Sequence, residues 1–175
     1  MMQLDIGVFA RLDARDRALF LRWALEEESS RPRLAWVVVT HLGGVWCSVA
    51  AAVFPMLLDG PVGAAAKRAL VVLALSHVIV QLVKRTVGRP RPSRATSCRT
   101  LVQEPDRFSF PSGHSAAAMS VAIVYAFAFP SLAAILIPIA VLVGASRVCL
   151  GVHYPGDVLI GQVIAVLTAI PFVVS

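Results

Sequence analysis

Charge is scarce in this chain. Asp, Glu, Lys and Arg make up 15% of its 175 residues, hydrophobic residues make up 58%, and the mean hydropathy is +0.78. Apolar content above the ~45–50% of soluble domains excludes an ordinary water-soluble globule and defines a membrane protein. Cysteine is equally sparse, with three residues at 47, 98 and 149. An odd number without metal-ligand spacing excludes a disulfide framework and a thiolate metal site. Cys47 and Cys149 lie in or near apolar stretches and read as inert thiols, whereas Cys98 sits in a basic loop with no partner evident. No acidic cluster suits magnesium, so no metal or other cofactor is expected. Basic residues are not interleaved with aromatics; the net charge of +6 and pI near 10.0 therefore point to membrane phosphates, not nucleic acid. With no linker, repeat or low-complexity tract, one domain is expected.

Five apolar stretches approach the ~20 residues that a bilayer-crossing helix needs. They fall at about 34–58, 62–85, 113–129, 131–150 and 155–174. Lys67 and Arg68 interrupt the second and are expected to snorkel to headgroups. Pro130 separates the third from the fourth as a tight helical hairpin, and Pro155 suits the first turn of the fifth. The fold class is all-α: an integral membrane bundle of about five transmembrane helices, residues 34–175, behind an amphipathic segment at 1–33.

That opening segment places Val8, Leu12, Leu19, Phe20 and Trp23 at helical spacing. Arg11, Arg15 and Arg22 share another face with Asp13, Asp16 and the Glu26-Glu27-Glu28 run. It reads as a helix lying in the membrane interface, with a helix packed on the protein as the alternative. Charges stand where the apolar core of a signal peptide would be.

Polar chemistry concentrates in three blocks: Lys84 with Arg91-Pro92; Pro111-Ser112-Gly113-His114; and Ser146-Arg147 with His153 and Asp157. The first follows span two, the second opens span three, and the third joins the end of span four to the start of span five. Because successive spans run antiparallel, all three blocks converge on one membrane face. Three cations, two imidazoles, a carboxylate and a helix-opening glycine turn are equipment for handling phosphate.

Lys84, six residues, Arg91-Pro92; then Pro111-Ser112-Gly113-His114; then Ser146-Arg147, five residues, His153, three residues, Asp157 resemble the three-part signature of the type-2 phosphatidic acid phosphatase superfamily. Every signature position is filled. The resemblance implies a metal-independent lipid phosphatase of the bacterial inner membrane, with a lipid phosphate as substrate and membrane lipids as partners. Many bacterial members have six membrane helices, and this chain reads as lacking the first.

Phosphoryl transfer is catalysed largely by positioning and by stabilising charge, which makes Lys84, Arg91 and Arg147 the expected phosphate clamp. A helix start offers unpaired N–H groups and a favourable dipole to an anion. Gly113 admits backbone close to it, and the Ser112 hydroxyl adds a donor. Asp157 stands four residues beyond His153 around a helix start, so its carboxylate can hold one ring nitrogen and leave the other to attack phosphorus. By resemblance, His153 is the nucleophile forming a phosphohistidine, Asp157 orients it, and His114 is the general acid, returning as base for hydrolysis.

Other polar residues have quieter expected roles. Arg85 and Arg89 read as headgroup or loop contacts, since Arg91 alone has the family spacing from Lys84. His41 and His77 read as hydrogen-bond partners between helices, and Thr40-His41-Leu42-Gly43-Gly44 as a close-packing stretch without chemistry. The basic loop from Gly88 to Phe110 would concentrate anionic substrate or hold an anionic surface. Arginine-rich segments on the signature side, against Lys67 and Arg68 opposite, place the active face in the cytoplasm, whereas resemblance to bacterial lipid phosphatases suggests the other side. Phosphatidate, phosphatidylglycerophosphate, undecaprenyl diphosphate and polyprenyl-phosphosugar phosphates all fit as substrates, the short build favouring a polyprenyl-linked one. Rival readings are a lipid phosphotransferase using the same intermediate, a vanadium haloperoxidase, disfavoured by the oily spans, and a non-catalytic transport or assembly protein.

Overall fold

The structure, a computed structural model, describes residues 6–25, 31–104 and 106–174. Its helices are α1 (Ile6–Trp23), α2 (Arg31–Leu42), α3 (Val45–Val53), α4 (Pro61–Val87), the single turn α5 (Pro92–Ala95), α6 (Gly113–Ala128), α7 (Ala133–Cys149) and α8 (Pro155–Val173). Among the described residues β structure is confined to one isolated bridge between Pro90 and Phe108. The protein is all-helical, and its apolar helices make it a multi-pass membrane protein.

Among the described residues three stretches are long and apolar enough to cross a bilayer: Pro61–Val87, Pro130–Cys149 and Pro155–Val173. The expected first span at 34–58 is broken: Arg33–Leu42 and Val45–Leu57 meet at 41°, giving a fourth crossing if they act together. The cause is Gly43-Gly44, where the helix closes on itself through Gly43 N–H to Thr40 O and Gly44 N–H to His41 O. The expected third span is the 16-residue α6, which at ~1.5 Å per residue covers roughly 24 Å of a ~30 Å hydrocarbon layer.

That short helix is the centre of the bundle, packed against α4, α7 and α8. Small side chains permit it: Ser115, Ala116, Ser120, Ala122 and Ala126 are all buried, and the Ser120 hydroxyl bonds that of Ser76 on α4 at 2.8 Å. Outward faces carry Leu75, Val78 and Leu82 on α4, Ile135 and Leu142 on α7, and Leu159 and Leu167 on α8, all exposed. Apolar groups turned outward in this way suit hydrocarbon as solvent.

Helix ends aim the polar blocks. Pro61 starts α4, and Gly88 ends it in the left-handed region at φ +63, its N–H returning to Lys84 O at 3.1 Å. The chain therefore reverses immediately beyond Lys84. The following loop folds back on itself through the Pro90–Phe108 bridge and Ser109 N–H to Arg89 O at 2.9 Å. Ser112 caps α6, accepting from Ser115 N–H, and Pro155 occupies the first turn of α8.

Helix α1 is packed on the protein and not solely on a membrane surface. Phe20 is fully buried against Tyr154 and Val158, with its ring edge-on to Tyr154 at 5.3 Å, and Leu25 N–H bonds Cys149 O at 2.9 Å. Leu19, Leu21 and Trp23 are exposed, so the expected single apolar face is divided between a docking side and an outward side. The Glu26-Glu27-Glu28 run and the side chains of Val8, Arg11 and Leu12 lie outside the described residues.

Candidate active site

The end of α4, the start of α6, the end of α7 and the start of α8 meet at one edge of the bundle. All eight sequence-predicted residues are brought there. Lys84, Gly113, His114 and His153 line a cavity of about 610 Å³. Arg91, Arg147, Ser112 and Asp157 stand behind its wall with exposures of 0%, 2%, 0% and 0%. Gly161 is what lets α8 approach the Ser112 turn, because a Cβ there would meet the Ser112 carbonyl oxygen at 2.5 Å. Ser112 N–H donates to Asp157 O at 2.9 Å across this contact.

His153 and Asp157 form the ion-pair geometry expected of the four-residue spacing, Nδ1 to Oδ2 at 3.6 Å. Arg91 Nη1 lies 3.4 Å from Nε2. A guanidinium can only donate, so this contact assigns the lone pair to Nε2 and the ring proton to Nδ1, facing Asp157. Burial pushes His153 down to about 4, with Arg147 and Arg91 adding to the effect and Asp157 opposing it. At neutral pH the ring is therefore neutral, with its free nitrogen beside a cation.

Asp157 is held from several directions. Oδ1 accepts from Arg89 Nη1 at 2.6 Å, while Oδ2 accepts from Tyr154 N–H at 2.9 Å and from the Ser109 hydroxyl. Arg89, expected as a headgroup or loop contact, instead turns its side chain to the carboxylate that faces His153. It also donates to Asp16 at 2.8 Å and Asp13 at 2.7 Å, and its guanidinium lies 4.0 Å from the centre of the Tyr154 ring. Burial opposes its charge, but Asp157, Asp16 and Asp13 outweigh that cost and raise its pKa above the ordinary arginine value.

The three clamp cations are partnered unequally. Lys84 Nζ donates to Asp106 Oδ2 at 3.0 Å and to Phe108 O at 2.9 Å. Arg91 uses Nη2 on Asp106 Oδ1 at 2.8 Å, Nε on Asp106 O at 2.8 Å and Nη1 on Val152 O at 2.9 Å. Arg147 gives Nη1 to Thr40 Oγ1 at 2.7 Å, while its buried Nε and Nη2 meet no acceptor among the described residues. A buried guanidinium with two uncommitted donors is a receptor for an anion. The Ser112 hydroxyl accepts from the Ser115 hydroxyl at 2.9 Å and from Ser115 N–H at 3.4 Å, which leaves its own proton to give.

Asp106, Ser109, Thr40, Asp13 and Asp16 join the site without a sequence signal that singled them out. Ser109, three residues before Ser112, offers the nearest clue. Thr40, expected to have no chemistry, is the partner of Arg147. Among the described residues His41 and His77 bond within their own helices and not between helices: His41 Nδ1 contacts Val37 O at 2.5 Å and His77 Nε2 contacts Gln81 at 3.4 Å. Among the described residues no cluster of His, Cys, Asp and Glu is arranged to hold a metal ion.

An all-helical bundle that gathers two imidazoles and three cations at one edge is a multi-pass membrane protein with a cation-rich site at that edge. Residues 65–175 match the PAP2 superfamily, and the chain belongs to it. It is 34% identical over 109 residues to a lipid A 1-phosphatase of Rhizobium johnstonii, covering 57% of this chain and 45% of that one. It is 38% identical over 89 residues to a decaprenylphosphoryl-5-phosphoribose phosphatase of Mycolicibacterium smegmatis, covering 50% and 47%. The chain thus spans a little under half the length of these curated relatives. The crystal structure of Aquifex aeolicus LpxE superposes with a TM-score of 0.77 at 25% identity, covering 88% of this chain and 92% of that one.

Proposed function

We propose that this protein hydrolyses a phosphomonoester or diphosphate carried by a lipid, through a phosphohistidine on His153. The observation that carries this reading is the shape of the cavity. One end holds Lys84, His114 and His153, and its walls continue over Val49, Leu70, Leu73, Ala74 and Val78. A ligand with an anionic head and an apolar tail matches that gradient, because the tail stays in an apolar setting while the head reaches the cations.

His153 Nε2 attacks phosphorus, and the bond from phosphorus to the leaving oxygen breaks. His114 supplies the proton to that oxygen, so the lipid departs as an alcohol or a lipid phosphate. Lys84, Arg91, Arg147 and the opening turn of α6 hold the negative oxygens during the transfer. Asp157 keeps the Nδ1 proton in place and steadies the cationic ring that forms. Water, deprotonated by His114, then attacks the phosphohistidine; the N–P bond breaks and inorganic phosphate leaves.

Among substrates, the similarity to a decaprenylphosphoryl-5-phosphoribose phosphatase favours a polyprenyl-linked phosphate. Purified protein in detergent, assayed for phosphate release from phosphatidate, phosphatidylglycerophosphate, undecaprenyl diphosphate and a polyprenyl-phosphosugar phosphate, tests both levels. His153→Ala is expected to abolish release from every lipid that the unaltered protein cleaves; equal activity in the two would end the reading. Phosphorylated acceptor alcohol among the products would instead favour phosphotransfer.

A further inference from the structure

The ion-pair hub on Asp157 reaches further than the catalytic signature requires. Arg89 Nη1 is shared between Asp157 Oδ1 at 2.6 Å and Asp16 Oδ2 at 2.8 Å, and Arg89 Nη2 is held by Asp13 Oδ1 at 2.7 Å. Asp16 also accepts the N–H of Gly156 at 2.7 Å through its other oxygen, one residue from Asp157. The carboxylate that faces His153 is thus tied to α1 along two routes, one through a guanidinium and one through the backbone of the first turn of α8. Arg89 at 16% exposure, Asp16 at 14% and Asp157 at 0% are largely withdrawn from solvent, while Asp13 at 38% closes the outer side of the cluster. Phe20 pins the same helix against Tyr154, whose ring lies under Arg89.

We infer that α1 is a positioning element of the active site, in which Asp13 and Asp16 hold Arg89, and Arg89 sets the place and charge balance of Asp157 and through it the nucleophile. This rests on the phosphohistidine reading of His153. None of the three residues touches the reacting atoms, so each acts through Asp157. An ion pair of this kind has to be arranged, not merely present. With two carboxylates behind it Arg89 is part-neutralised, so it orients Asp157 without withdrawing all the negative charge that His153 needs. An arginine left alone with Asp157 would draw that charge away.

The sign of the effect on His153 follows from electrostatics. The groups facing His153 are Asp157 from α8, Arg147 from α7, His114 from α6 and Arg91 from the loop after α4; those facing Asp157 beyond the histidine are Arg89, Lys84, the Ser109 hydroxyl and the Tyr154 N–H. Removing the Arg89 charge leaves Asp157 more negative, which favours protonated His153. Removing Asp16 or Asp13 frees Arg89 to act on Asp157, which disfavours it. Since the nucleophile must be unprotonated, the acid limb of the pH profile reports the difference.

The experiment measures kcat, KM and the pH dependence of kcat/KM for full-length Arg89→Gln, Asp16→Asn, the double variant, and His153→Ala. Arg89→Gln is expected to lower kcat by about tenfold or more with KM unchanged and to move the acid limb to higher pH. Asp16→Asn is expected to move that limb to lower pH, and the move should vanish in the Arg89→Gln background. A role in folding alone would lower the yield of active protein without moving the limb in opposite directions. Activity surviving in His153→Ala would remove the phosphohistidine reading beneath this inference. An inactive His153→Ala beside Arg89→Gln and Asp16→Asn variants with the original kcat and acid limb would overturn the inference alone.

Discussion

His153 has two neighbourhoods that differ in how far the protein completes them. Toward α8, the carboxylate of Asp157 receives Arg89, Tyr154 N–H and the Ser109 hydroxyl, besides facing the imidazole. Toward α7, Arg147 is equally deep yet gives Nη1 to Thr40 and, among the described residues, keeps Nε and Nη2 uncommitted. Buried polar groups are normally paired, and an unpaired one carries a cost of ~1–3 kcal/mol, more when charged. The orienting side is therefore finished by folding, whereas the receiving side is organised for an anion that the chain does not itself supply. Under the proposed function, this division is what preorganisation asks of an enzyme: geometry settled before substrate arrives, and stabilisation reserved for charge on the reacting phosphate.

The sharpest way to break the comparison is to spoil the finished side while keeping its shape. Asp157→Asn retains the size of the side chain but removes the charge that holds Arg89 and offers an amide where an acceptor stood. The Nδ1 proton loses its partner and the ring can present the wrong nitrogen. A loss of ~10³–10⁴ in kcat is expected, by analogy with the effect of such a change in a histidine–carboxylate pair of other enzymes. Single-turnover phosphate release measures it directly, and a loss below about tenfold would mean that Asp157 is not what orients His153.

On the receiving side the expected effect is smaller. Arg147→Lys keeps the positive charge but gives up the fork, so one compact ammonium replaces separately aimed Nε and Nη2 donors. Loss of such a donor to a developing oxyanion typically costs ~10²–10³ in rate. Steady-state kcat/KM on the best lipid of the panel reads it. A lysine variant as active as the parent would show that charge suffices at this position and that the two uncommitted donors are incidental.

Much of this arrangement was legible in the chain itself, and the exceptions have physical reasons. Long apolar runs mark helices in lipid whatever their neighbours, so α4, α7 and α8 emerge close to their expected bounds. The three signature blocks sit at helix ends, where antiparallel spans leave little choice of face. Gly43-Gly44 escaped as a break because glycine is tolerated inside membrane helices and declares a bend only when packed, here with Gly43 against the His114 carbonyl. The role of Arg89 is hidden because spacing from Lys84 singles out Arg91, and spacing is blind to a partner 73 residues away such as Asp16. Asp106 was likewise hidden, since its position over Lys84 and Arg91 depends on how the whole loop from Gly88 to Phe110 doubles back.

Asp106 also supplies the mildest and most discriminating test of the receiving side. Its carboxylate sits on Lys84 Nζ at 3.0 Å and Arg91 Nη2 at 2.8 Å, two of the cations expected to hold phosphate. Burial alone would raise its pKa, but Lys84 and Arg91 overcome that and hold it below the ordinary carboxylate range. It therefore stays ionised across neutral and mildly acidic pH, and acidification in that range does not relieve its hold on the clamp. A phosphate oxygen must share or displace this resident anion, whereas at Arg147 it meets no such competitor. Asp106→Asn removes the competing charge at nearly constant shape. If the contest is worth about 1 kcal/mol, as for partly exposed ion pairs, inhibition by inorganic phosphate tightens about fivefold. Product leaves more slowly in consequence, so kcat falls on substrates whose turnover is limited by phosphate release. A phosphate Ki equal to that of the parent would mean that carboxylate and phosphate use different donors, and that Lys84 and Arg91 belong with the finished side of the site.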